Sequence, residues 1–200
     1  MKRRYKVAIG SVLTLGVATL AVTSHMGLLD DNLRTVVEGK FYRSAQMDGA
    51  GFAKTIRDKK LGCVVNLRGA SKEAWYSDEL AACKAAGTAH VDVDLWADKP
   101  PPPKEMKKLV EALDQGPFPM LVHCKAGADR AGLASALYLI VVEKVPARKA
   151  VDEQLNWHHG HVSWVSAAAM DEFFELYFKN GNGKDFKAWV LEDYPNLYRE

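Results

Sequence analysis

Apolar and polar positions follow two rhythms along this chain. Short apolar or alternating runs occupy residues 40–43, 61–67, 89–95 and 118–123. Runs of helical period occupy 51–60, 72–86, 104–113, 133–142, 147–155, 170–178 and 184–191. Period two marks a half-buried strand and period 3.6 an amphipathic helix. Gly87 stands where a C-cap would stop the second helix. Pro146 suits the first position of the fifth. The four prolines at 100–103 read as loop, because proline fits neither a helix interior nor a central strand. The 133–142 run is apolar on nearly every face, as a buried helix would be. Strands alternating with helices of this length predict an α/β fold, with a central, mostly parallel sheet flanked by helices.

The start of the chain has a different pattern. Lys2, Arg3, Arg4 and Lys6 precede an apolar run at 7–22. A basic stretch followed by an apolar one is the layout of an export signal. The run is shorter than the roughly 20 residues of a full membrane span. Residues 19–21 and 22–24 both offer small-residue cleavage sites. A cleaved signal and an uncleaved anchor through 7–22 are both open. Either would place the rest outside the cytoplasm, periplasmic or anchored to the inner membrane. A buried N-terminal helix is the alternative, against which stand four cations with no acid before Asp30. The expected organisation is a signal or anchor at 1–24, a linker at 25–34 and one domain at 35–200. About 170 residues can bury enough surface for a single core.

Composition narrows the chemistry. The apolar share of 48% is ordinary for a globular protein. The 3 cysteines are too few for a disulfide framework and form no C-x-x-C pair. The net charge of +2 gives no bulk argument for a nucleic-acid partner. Without the four N-terminal cations the count is 23 positive against 25 negative, so the domain is mildly acidic. Any affinity for anions must then be local.

That local feature is the stretch Leu121 to Leu133, LVHCKAGADRAGL. An apolar strand delivers Cys124 at its C-terminal end, where ligands of open α/β sheets bind. Five residues separate Cys124 from Arg130, and the buried helix follows. Ala126, Gly127 and Ala128 are small enough for their N–H groups to turn inward as an anion nest. The helix start adds free donors and about half a positive charge. Arg130 can grip two phosphate oxygens with its planar fork. A thiol among such cations has its pKa lowered from ~8.5 toward between ~3.5 and ~7.5, and becomes a nucleophile. A core cysteine in a tight turn is the plainer reading, but Lys125, Asp129 and Arg130 are poor core neighbours.

With that loop in view, the sequence resembles the cysteine-dependent protein tyrosine and dual-specificity phosphatases. HCKAGADR-x-G matches their H-C-x-x-G-x-x-R loop, and FYRSAQ at 41–46, VVNLR at 64–68 and WY-x-x-E at 75–79 resemble the small bacterial members. The likeness spans residues 36–160. It implies a phosphatase-type α/β fold and metal-free, cofactor-free hydrolysis of a phosphorylated protein or a small phosphate ester. It implies Cys124 as nucleophile, Arg130 as phosphate clamp, His123 as orienter of the loop and the amides of 125–130 as cradle. One position departs. The family has Ser or Thr after the arginine to stabilise the leaving thiolate, and this chain has Ala131. Slow turnover, another donor, or a phosphate-binding module without turnover are the consequences to weigh. Asp129 also puts an acid in an anion site unless it faces outward.

Breaking a P–O ester bond needs a proton for the leaving oxygen, and a carboxylic acid on a movable loop is the usual source. Asp92, Asp94 and Asp98 precede the loop. Asp98 is preferred because its segment resembles the family's acid loop in position and in the prolines that follow; Asp94 is second. Arg68 either lines the cleft or lies on the surface. Lys125 adds charge without deciding between protein, inositol phosphate and lipid substrates. His158, His159 and His161 lack a metal-binding spacing and read as surface or packing groups between Trp157 and Trp164. Cys63 and Cys83 could pair in an oxidising space, though no spacing rule demands it.

Overall fold

The computed structural model describes residues 31–162 and 168–199. The expected export segment lies outside them. Among the described residues no helix is long and apolar enough to cross a membrane.

Five strands form one sheet in the order β1-β2-β5-β3-β4. They are β1 (Arg34–Val37), β2 (Phe41–Ser44), β3 (Cys63–Asn66), β4 (Ala89–Asp92) and β5 (Met120–His123). β2, β5, β3 and β4 run parallel, and β1 pairs antiparallel with β2. The sheet is therefore mostly parallel, as expected. β1 was not foreseen: RTVV is short and half-buried, and it begins at the last residue of the expected linker. Neighbouring Asn32 is buried too, so the fold reaches into that linker.

Alternation sends side chains to two cores. Phe41, Cys63, Val65, Met120 and Val122 face one side of the sheet, and Tyr42, Val64 and Leu121 the other. The smaller core is closed by α1 (Gly49–Lys59) and α2 (Ala74–Ala86), which contribute Phe52, Ile56 and Cys83. Asp48 caps α1 by accepting from the Gly51 amide at 2.7 Å. Gly87 ends α2 in the left-handed conformation, as its position predicts.

The larger core is closed by α3 (Pro103–Gln115), α4 (Asp129–Val141), α5 (Ala147–Gln154), α6 (Ala168–Asn180), α7 (Phe186–Glu192) and α8 (Tyr194–Leu197). Three boundaries differ from expectation. Pro103 is not loop but the first residue of α3, where its missing N–H costs nothing. Pro146 is the cap before α5 and not its first residue. α4 starts at Asp129, four residues before the apolar pattern, because its first turn belongs to the loop at the sheet edge. Every residue of α4 from Ala131 to Val141 is buried. Each fully buried Leu, Ile or Val contributes roughly 1.5–3 kcal/mol, so α4 anchors the loop before it.

The parallel strands end in register, with Ser44 beside His123, His123 beside Asn66, and Asn66 beside Asp92. This carboxyl edge, centred on β5, carries the site.

Candidate active site

Cys124 follows β5 directly and is 2% exposed, at the floor of the loop. The loop from Lys125 to Ala128 turns its carbonyls away, and each has a donor behind it. Gln46 N–H donates to Lys125 O at 3.3 Å. Asn32 Nδ2 donates to Ala126 O at 3.1 Å. Arg43 Nη2 donates to Gly127 O at 2.8 Å and to Ala128 O at 2.7 Å. With four successive carbonyls held from outside, the amides of the loop face inward. Among the described residues, no acceptor meets the amides of 125–130. No side chain caps α4 either, so an anion is the natural cap of this helix.

Gly127 is required twice. Its φ is 69°, and a Cβ there would stand 2.6 Å from Ser44 C and Ala45 N. Only glycine accepts both the left-handed backbone and that approach.

Arg130 lies in the first turn of α4. Its Nη1 donates to Leu95 O at 2.9 Å and Leu67 O at 3.4 Å. Those carbonyls hold one side of the guanidinium at the ends of β3 and β4. Nε is buried and has no acceptor among the described residues. The remaining edge of the fork is thus available to a phosphate.

The concern over Asp129 has a geometric answer. Its Oδ1 accepts from His161 Nδ1 at 2.7 Å, and His161 Nε2 donates to Asp171 Oδ2 at 2.9 Å. His161 is 3% exposed. Burial disfavours its charge, but the two carboxylates outweigh that and raise its pKa to about 9. Asp129 therefore spends its charge on an imidazolium, and the loop is tied to α6. His161 is a packing group of the loop's support. Among the described residues no cluster of His, Cys, Asp and Glu is arranged to hold a metal ion.

His123 is wholly buried and donates to Glu79 Oε1 at 2.9 Å. Glu79, from α2, also receives His90 Nε2 at 2.7 Å and Gln46 Nε2 at 3.2 Å. Burial works against the carboxylate, but these hydrogen bonds prevail and bring its pKa down to about 2. Glu79 was visible only as the last letter of WY-x-x-E, and Arg43 only as a letter of FYRSAQ. Neither had an assigned role, because the partners of both lie on other elements.

The acid candidates separate. Asp92 receives Asn66 Nδ2 at 2.8 Å and the Tyr76 hydroxyl. That bond raises the Tyr76 phenol to about 12, and Asp92 is a structural acceptor. The Asp94 backbone forms an isolated antiparallel bridge with that of Arg68, and its exposed carboxylate lies 2.9 Å from where a Gly69 Cβ would be. Asp98 is exposed, in the loop between β4 and α3. It lines a cleft of about 660 Å³ with Trp96, Lys99, Pro100, Pro102 and Tyr198.

Arg68 is half-buried, stacked 3.9 Å above the Trp75 ring, with Nη1 on Gln46 Oε1 at 3.3 Å. Lys125 and Ala126 are exposed on the loop. All three cysteines are free and buried. Burial raises the Cys63 thiol to about 11 and Cys83 to about 12, so neither is a thiolate at neutral pH.

A sequence search found no match among curated proteins. Solved structures do share the fold. The catalytic core of the PP-IP phosphatase SIW14 from S. cerevisiae is 20% identical, with a TM-score of 0.55 over 76% of this chain and 94% of its own. P. aeruginosa TpbA, a Cys-to-Ser form in complex with pTyr, is also 20% identical, with a TM-score of 0.59 over 80% and 88%. PTPMT1 is 16% identical, with a TM-score of 0.54 over 75% and 98%. The family model described as the tyrosine phosphatase family matches residues 26–153, from before β1 to the end of α5. Fold, loop and family model agree: the chain belongs to the tyrosine phosphatase family.

Proposed function

We propose that the protein hydrolyses phosphate monoesters through a phosphocysteine, with phosphorylated tyrosine or mixed phosphoprotein substrates first. The observation that carries this reading is the outward pinning of four successive loop carbonyls above a buried Cys124. That arrangement turns the loop amides toward the sulfur, which supports an anion bound there.

In the proposed reaction, the amides of 125–130 and the open edge of Arg130 hold the non-bridging oxygens. Charge that builds on them meets donors already in place. The Cys124 thiolate attacks phosphorus, the ester P–O bond breaks, and Asp98 gives the leaving oxygen its proton. Water then attacks the phosphocysteine, Asp98 takes its proton, and the S–P bond breaks with its electron pair on sulfur. Asp98 is the first choice on its place in the loop before the prolines, Asp94 remains second, and the Asp92 carboxylate is already engaged by Asn66 and Tyr76. Exposed Lys125 favours a second reading, an inositol phosphate or phospholipid headgroup with several phosphates, as the name of SIW14 and its PP-IP substrate would suit. We also carry forward export by the N-terminal segment, on the sequence pattern alone.

The test is turnover of a generic aryl phosphate by the full chain, beside Cys124→Ser, Asp98→Asn and Asp94→Asn. No turnover by the wild type leaves a phosphate-binding module, in line with Ala131. Unchanged turnover in Cys124→Ser removes the mechanism. Loss in Asp94→Asn with none in Asp98→Asn moves the acid to Asp94. Phosphopeptides, inositol phosphates and phospholipids then rank the substrates.

A further inference from the structure

Arg43 is among the largest wholly buried side chains of the protein, at 0% exposure. A buried cation normally has an anion against it, because burial without one is costly. Arg43 has none. Its four hydrogen bonds go to neutral acceptors: Gln154 O at 2.7 Å, Gln154 Oε1 at 3.0 Å, Gly127 O at 2.8 Å and Ala128 O at 2.7 Å. Its Nε is buried without an acceptor among the described residues. No carboxylate of the described residues forms an ion pair with it. Gly132 makes room for it: a side chain at that position would begin 3.3 Å from Nη2.

Burial works against the Arg43 charge and lowers its pKa to about 10, while Cys124 and Asp129 nearby favour the charge and Arg34 opposes it. Asp129 is already engaged by His161. Arg43 also lies on the Cys124 side of the sheet, since Phe41 and Val122 face the core that holds Cys124. A cation without a carboxylate thus sits beneath a loop built for anions.

Resting on the phosphocysteine reading above, we infer that Arg43 is a positioning residue of this site. It pins the loop from below and supplies the countercharge for the Cys124 thiolate. It thereby takes over the duty of the hydroxyl that Ala131 lacks. When the S–P bond breaks, the electron pair arriving on sulfur meets this fixed charge. Arg43 does not touch substrate, because its fork is occupied by the loop carbonyls.

The experiment measures the pH dependence of Cys124 alkylation by iodoacetamide in the full chain, read on its peptide by mass spectrometry. Arg43→Met removes the charge, and the midpoint rises by roughly one unit or more. Ala131→Ser added to Arg43→Met brings part of that rise back. Arg43→Lys keeps the charge and loses the fork. Its midpoint stays near the wild type, while inorganic phosphate protects Cys124 about tenfold less well. A folded Arg43→Met with the wild-type midpoint overturns the inference. If Arg43→Met does not fold, Arg43→Lys decides: unchanged phosphate protection overturns it. No recovery with Ala131→Ser removes the link to the missing hydroxyl. Alkylation reads the thiol without turnover, so an inactive wild type would remove the hydrolase reading and leave this result standing.

Discussion

His123 donates from Nε2 to Glu79 Oε1 at 2.9 Å, and both side chains are wholly excluded from solvent. A carboxylate only accepts, so Nε2 carries the proton. His123, the residue before Cys124, is thereby fixed by α2 on the opposite face of the sheet. Removing the acceptor strands a buried N–H. Glu79→Ala should cost about 2–4 kcal/mol in urea unfolding. Glu79→Gln, which still accepts through its carbonyl, should cost about half as much. Glu79 also contributes stability above its ordinary carboxylate range that is lost as pH falls from about 4.5 toward 2. Glu79→Gln should flatten that acid slope; an unchanged slope would assign it to other carboxyls.

The contact of Gly127 with the end of β2 leads to a second expectation. Gly127→Ala combines a left-handed backbone with approaches of 2.6 Å to Ser44 and Ala45. The loss should exceed about 2 kcal/mol, with phosphate no longer protecting Cys124 from alkylation. Gly183 also has positive φ, at 77°, but nothing lies within 4 Å of a Cβ there. Gly183→Ala should cost about 1 kcal/mol and leave phosphate protection intact. Equal losses at both sites would show that backbone strain alone is at work.

The bridge from Asp129 through His161 to Asp171 should appear as a pH dependence of stability. The pKa of His161 is raised in the folded state, to about 9 from an ordinary 6.5. Its contribution is therefore full below pH 6.5 and is lost as pH rises through 9. The size is about 3 kcal/mol, since one pKa unit corresponds to about 1.4 kcal/mol. Unfolding free energy should decline over that window in the wild type and stay flat in His161→Gln. A wild type that is flat between pH 6.5 and 9.5 would refute the buried imidazolium.

Asn32 ties the segment before β1 to the loop after Cys124 through Ala126 O, and to the turn before His161 through His159 O, both at 3.1 Å. Asn32→Ala should cost about 1–3 kcal/mol. It should also raise KM for an aryl phosphate more than it lowers kcat, because it releases one cradle carbonyl and leaves Cys124 and the acid in place. A change in kcat alone would contradict that division.

The loop after Cys124 can be read from the sequence because its form is local. A strand, a small-residue turn and a helix start are consecutive in the chain, and the anion-binding property follows from backbone direction. The alternation of strand and helix periods likewise sufficed for the mostly parallel sheet. β1 escaped, since four half-buried residues give too little periodicity. What holds the loop was equally hidden. Arg43 was only a letter of FYRSAQ, Glu79 only the last letter of WY-x-x-E, and His161 one of three histidines read as surface or packing groups. Their partners stand 84, 44 and 32 residues away. Burial and counter-charge are properties of the assembled packing, and no spacing rule reaches that far. The sequence by itself determined the fold class and the family; the tertiary structure decided which charges the loop after Cys124 rests on. A charge has a defined partner and energy only once folding has removed the water around it.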